Sequence, residues 1–228
     1  MRQNSHLKLR SLENSFNHCI FADWYRFGES QEEEVPLIIY VGGATSLEEY
    51  RKREKTEPLQ VVQEFSKAVG NSELSCIDLL VLPFPPESDG GVYQQLFSVL
   101  ILELPLTTPN PRPSQIGCIG NSIGASFASY LTFSLKQVKA LATLGGYGMV
   151  EGANDSNMVG EVTDRAYRCW WNADSPGYME NLFFLQLLTR YDVDMEIVTG
   201  NGGHDFADYA TNGSVRDAFS FTLNALEG

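Results

Sequence analysis

Short apolar runs with little polar alternation recur along this chain of 228 residues, and they set its fold class. They lie at 35–41 (VPLIIYV), 76–82 (CIDLLVL), 116–119 within QIGCIG, 138–144 (VKALATL), 166–171 (AYRCWW) and 195–199 (MEIVT). A strand without alternation is covered on both faces, as in a parallel sheet enclosed by helices. Amphipathic stretches fill the gaps: 47–69, where Pro58 is expected to break or kink a helix, then 92–104, 122–135, 178–191 and 215–226. This order predicts strand–helix–strand units on a mostly parallel sheet, an α/β class, in one domain over 1–228. Two earlier segments, 6–10 and 19–27, read as antiparallel strands. There is no internal repeat.

The stretch Gly117-Cys118-Ile119-Gly120-Asn121-Ser122-Ile123-Gly124-Ala125 carries the most chemistry. An apolar strand leads into it and a helical pattern leads out. A serine on so tight a turn has strained backbone angles. The residues two before and two after it crowd each other and the neighbouring strands, so both must be small. Gly120 and Gly124 meet that need. The turn exposes the hydroxyl and aims a helix N-terminus at the place where negative charge would develop. A glycine-rich turn with a capping serine is the alternative.

A serine hydroxyl is a poor nucleophile near neutral pH and needs a base. The chain has 3 histidines. His6 and His18 precede the sheet. His204 stands in the glycine-rich segment 199–206, after the last apolar run and before the last helical one, where a loop can carry an imidazole over the sheet's edge. The third member must hold the imidazole's tautomer and stabilise its charged form. In the chain order serine, acid, histidine it belongs to loop 171–177, where Asp174 is the candidate. Asp-Ser-Pro also reads as a helix start, so Asp174 is alternatively a cap. Donors for an oxyanion are expected from the backbone N–H of Ile123 and from Gly43 or Ala44 in the loop after run 35–41.

Composition narrows the function classes. Lys and Arg number 16 against 29 Asp and Glu, a net charge of −13. Such a chain repels phosphate backbones and anionic lipid, so neither nucleic acid nor a membrane surface is expected as partner. The basic cluster at 51–55 lies among glutamates and reads as a solvated helix face. No apolar run is long enough to span a bilayer, and no apolar segment follows the first residues as a secretory signal would. The 4 cysteines, Cys19, Cys76, Cys118 and Cys169, form no close pair, which predicts free thiols in a reducing compartment and a cytoplasmic protein. No His or Cys cluster has metal-ligand spacing, so neither a metal nor another cofactor is expected.

Ser122, Asp174, His204, the Gly42-Gly43 loop and the strand order together resemble the α/β-hydrolase superfamily from about residue 18 onward. Gly202-Gly203-His204-Asp205-Phe206 is similar to the histidine loop of its small esterases and dienelactone-hydrolase-type members. The resemblance implies a mostly parallel central sheet with helices on both faces. It also implies a Ser–Asp–His hydrolase that works through an acyl-enzyme without a cofactor. The chain departs from the pattern at three points. Val41 stands where a histidine often precedes the glycines, 171–174 reads WNAD where Gly-x-x-Asp is usual, and Ser122 stands where dienelactone hydrolases carry cysteine. Only 145–165 separates two of the strands, room for a loop and a short helix but not for a cap domain. The site is expected to be open; Phe84, Tyr147, Met149, Met158, Val159 and Tyr178 are candidates to line it, with core or loop packing the commoner role for each. The expected reaction is cleavage of a small-molecule carboxylic ester or thioester. Acyl transfer by the same residues and a silent binding protein of this fold are the alternatives, and the oligomeric state is not readable.

Overall fold

The computed structural model describes residues 4–13, 19–29, 34–43, 56–82, 113–146, 165–175 and 194–228. Eight strands form one sheet: β1 (Asn4–Glu13), β2 (Cys19–Gly28), β3 (Leu37–Val41), β4 (Cys76–Leu82), β5 (Ile116–Asn121), β6 (Val138–Leu144), β7 (Ala166–Asn172) and β8 (Asp194–Gly200). Their spatial order is β1-β2-β4-β3-β5-β6-β7-β8. The two early strands are antiparallel, β1 to β2 and β2 to β4. From β4 onward every pairing is parallel. The full burial of β3, β4 and β5 along their lengths is the reason those runs lack alternation.

Four helices are described: α1 (Glu57–Val69), α2 (Ile123–Ser134), α3 (Phe206–Thr211) and α4 (Ser214–Glu227). Successive residues of a strand point to opposite faces, and β5 shows where the helices lie. A side chain at Gly117 would strike Thr222 of α4 and pack near Leu226. Its neighbour Cys118 faces Thr132 of α2. Helices therefore cover both faces of the sheet. One core joins Ile38, Tyr40, Ile77, Leu79, Ile119 and Leu144 to Phe65 of α1 and Phe219 of α4. Within it Phe65 sits edge-on to Phe27 at 4.7 Å and tilted to Phe219 at 5.1 Å. At the antiparallel end, Arg26 Nε and Nη2 donate to the two oxygens of fully buried Asp78, at 2.8 and 2.7 Å, from directly opposite positions on β2 and β4.

Of the stretch expected to be broken or kinked at Pro58, the part from Thr56 onward is described: α1 starts at Glu57, and Pro58 occupies its first turn, where the missing N–H costs no hydrogen bond. The last expected helix, 215–226, is α4; the short α3 before it was not expected, and Gly213, at φ 90°, turns the chain between the two. The helices expected at 92–104 and 178–191 and the start of 47–69 lie outside the described residues. Cys76, Cys118 and Cys169 are buried free thiols. Among the described residues no helix is long and apolar enough to cross a membrane.

Candidate active site

The parallel half of the sheet delivers three chain segments to its carboxyl edge: the β5–α2 turn, the loop after β7 and the loop after β8. In the first, Ser122 is the N-cap of α2 and the one non-glycine with positive φ among the described residues, at φ 52° and ψ −124°. Its N–H donates to the carbonyl of Leu144 on β6 at 2.8 Å, and its carbonyl accepts from the N–H of Ala125 at 3.0 Å. These bonds hold a conformation that L-residues disfavour. The pentad's glycines are needed for space. A Cβ at Gly124 would collide with the carbonyls of Val41 and Gly42, and one at Gly120 with the backbone of Ala125.

The nucleophile turn also packs against the loop after β3. A Cβ on Gly43 would stand 2.8 Å from Cβ of Ser122 and would overlap the carbonyl of Asn121. The Gly43 backbone therefore lies beside the serine. Ile123 is the first residue of α2, and N–H groups of a helix's first turn have no acceptor within the helix. Ala44, the other candidate donor of that loop, lies outside the described residues. So do Phe84, Tyr147, Met149, Met158, Val159 and Tyr178, the lining candidates.

His204 comes from the loop after β8. Its Nε2 lies 2.8 Å from Ser122 Oγ, and its Nδ1 lies 2.6 Å from the hydroxyl oxygen of Ser175. The structure thus brings Ser122 and His204 together across 82 positions of sequence. Asp174, expected against Nδ1, is instead exposed, and the side chain of the next residue occupies that place. The cause is the turn that ends β7. The N–H of Ser175 donates to the carbonyl of Asn172 at 3.0 Å, and the Trp171 indole N–H donates to the carbonyl of Ser175 at 3.2 Å. That closure turns position 175 inward and position 174 out to solvent.

A second set of bonds fastens the two loops to each other. Asn172, fully buried, donates through Nδ2 to the carbonyl of Gly203 at 2.9 Å, and its Oδ1 accepts from Asn212 Nδ2 at 2.8 Å. Asn212 also donates to the carbonyl of Asn201 at 2.9 Å. The phenol of Tyr209, on α3, accepts the N–H of Asn172 at 3.3 Å. Burial raises the pKa of that phenol, and hydrogen bonding with the Ser175 hydroxyl and the Asn172 backbone partly offsets the rise. Ser175, Asn172, Asn212 and Tyr209 are not singled out by the sequence. Serine at 175 had only its adjacency to Asp174 as a signal, and the amides had none. Among the described residues no three His, Cys, Asp or Glu side chains gather as a metal site.

No protein-family model and no curated protein matches the sequence. Solved structures do match its fold. A ferulic acid esterase superposes with a TM-score of 0.71 at 13% identity, over 99% of this chain and 100% of that one. A candidate dienelactone hydrolase from Klebsiella pneumoniae gives 0.65 at 15% identity, over 99% of each chain. An S-formylglutathione hydrolase from Staphylococcus aureus gives 0.67 at 11%, over 98% of each. Both the strand order and these superpositions lead to one statement: this chain has the α/β-hydrolase fold.

Proposed function

We propose that the protein is a serine hydrolase that cleaves small carboxylic esters or thioesters through an acyl-enzyme. The observation that carries this reading is the 2.8 Å approach of Ser122 Oγ to His204 Nε2. For Nε2 to accept a proton, Nδ1 must carry the ring's own hydrogen, which then donates to the loop after β7. In the first half-reaction Ser122 Oγ attacks the acyl carbon while His204 takes its proton. The carbonyl oxygen becomes an oxyanion, held by the N–H of Ile123 together with that of Gly43 or Ala44. The imidazolium then protonates the leaving alcohol or thiol as the acyl–heteroatom bond breaks. In the second half-reaction water attacks the acyl-serine, His204 receives its proton and Ser122 recovers the hydroxyl.

The third member of the machinery belongs to loop 173–175, where Asp174 offers a carboxylate and Ser175 the hydroxyl on Nδ1. The structural neighbours, a ferulic acid esterase and an S-formylglutathione hydrolase, support the ester or thioester class.

A fluorophosphonate probe tests the reading. Ser122 becomes covalently modified, Ser122→Ala does not, and His204→Ala slows labelling by about 100-fold or more, the usual worth of a positioned base. A panel of p-nitrophenyl esters and acyl thioesters of rising chain length then ranks substrates. Absence of labelling in a folded protein would leave a silent binding module of the same fold.

A further inference from the structure

We propose that Ser175, rather than Asp174, is the residue that positions the catalytic imidazole, and that the phenol of Tyr209 supports it through the Asn172 end of the same turn. The proposal rests on the Ser122–His204 reading for its functional meaning. Its geometry comes from three contacts: Ser175 Oγ at 2.6 Å from His204 Nδ1, the Tyr209 hydroxyl at 3.3 Å from the Asn172 N–H, and the 3.0 Å bond that closes the Asn172–Ser175 turn.

The hydrogen positions follow from which groups can only donate. The Asn172 N–H is such a group, so the Tyr209 oxygen is an acceptor there. The Nδ1–H of the reactive tautomer is another, so Ser175 Oγ accepts from it and is free to turn its own hydrogen toward the phenol. Hydrogen bonding with Ser175 is among the influences that lower the Tyr209 pKa. The order His204 → Ser175 → Tyr209 ← Asn172 aligns O–H dipoles with their negative ends toward the ring, and it stabilises the imidazolium formed when Ser122 gives up its proton. Tyr209 is itself fixed. It is fully buried, and its hydroxyl fills the notch at the end of β6 where a Cβ on Gly145, at φ 60°, would overlap it. A rigid phenol steadies the Asn172 end of the turn, and a steadied turn restricts the ring.

Nitrogen-15 NMR of the histidine rings in the whole chain decides the matter, with His204 assigned against His204→Gln. In the wild type the His204 ring carries its hydrogen on Nδ1. Ser175→Ala shifts the ring toward the Nε2–H tautomer, Tyr209→Phe shifts it the same way by less, and Ser175→Thr, which keeps a hydroxyl, restores it. Ser175→Asp raises the imidazole pKa by about one unit or more, because a carboxylate in contact favours the charged ring. Fluorophosphonate labelling follows the same order: Ser175→Ala slows it by about 10- to 100-fold, and by more than Asp174→Asn does. The assignment is overturned if Asp174→Asn displaces the tautomer and Ser175→Ala leaves it alone. It is equally overturned if Ser175→Asp fails to move the titration. Should the wild type not be labelled at all, the hydrolase reading fails, while the tautomer measurement still decides which residue holds the ring. Circular dichroism checks that each variant is folded; where Ser175→Ala is not, Ser175→Thr and Ser175→Asp make the comparison.

Discussion

The side-chain amide of Asn172 donates to the carbonyl of Gly203 at 2.9 Å, one residue ahead of the imidazole that faces Ser122. One buried amide thereby ties the end of β7 to the loop that carries the proposed base. Asn172→Ala removes that donor and also leaves the Asn212 amide without this acceptor. The expected cost is about 1–3 kcal/mol of stability by urea unfolding, the usual penalty for orphaned buried polar groups. Turnover of p-nitrophenyl acetate should fall in kcat with KM little changed, because the substrate pocket is untouched while the base is released. A KM effect alone would assign Asn172 to binding.

Ser122 holds a backbone conformation, φ 52° and ψ −124°, that glycine tolerates and L-residues disfavour. Ser122→Gly and Ser122→Ala both remove the hydroxyl and both abolish labelling. Only glycine relieves the strain. Ser122→Gly is therefore expected to be more stable than Ser122→Ala by about 1 kcal/mol, the strain released less the entropy that glycine adds to the unfolded chain. Equal stabilities by chemical denaturation would show that the turn stores no strain.

Cys118, in the middle of β5, has its pKa pushed up to about 12 from an ordinary 9.0 by burial, with hydrogen bonding to Thr132 and the charge of Arg165 offsetting part of the rise. The unfolded thiol loses its proton near 9 while the folded one keeps it to about 12. Between those values the native state binds more protons than the unfolded state, so stability falls as pH rises through that window. Buried Tyr167 and Tyr209, with raised phenol pKa values, add to the fall above their ordinary 10.0. Urea midpoints measured from pH 8 upward should show this decline. In Cys118→Ala the slope should be shallower by up to about one proton. Parallel slopes in the two proteins would mean that Cys118 titrates equally in both states.

Arg26 and Asp78 lock the antiparallel end of the sheet, with the carboxylate fully buried and the guanidinium side chain 24% exposed. Hydrogen bonding with Asp78 is the largest influence raising the arginine's pKa, so the guanidinium stays charged. Arg26→Leu strands a buried carboxylate and should cost about 3–5 kcal/mol. The double variant Arg26→Leu with Asp78→Leu should recover much of that loss, since apolar replacement removes the desolvation penalty along with the attraction. If the single and double variants unfold at the same urea concentration, the loss is one of packing and not of charge.

The parts of this architecture readable in advance are those decided within a few residues. The Gly120–Gly124 pentad announced a strand–turn–helix because its small residues are required by contacts inside the turn and with the adjoining β3 end. His204 was accessible through scarcity, as one of 3 histidines and the one placed after the last strand. Asp174 against Ser175 was not readable. Which of two adjacent side chains turns inward depends on the Trp171 indole reaching the Ser175 carbonyl and on the closure of the turn at Asn172, both tertiary events. The helix expected at 215–226 is α4, while the six-residue α3 before it is too short to show a helical period.

The separation of 82 positions between Ser122 and His204 gives the chain a built-in clock. Contacts of such long range, spanning several crossovers, are slow to assemble and close after local helices have formed. Reactivity at the serine should consequently return late when denaturant is diluted away, behind helical ellipticity. A covalent probe for that hydroxyl would then time the arrival of the final strand.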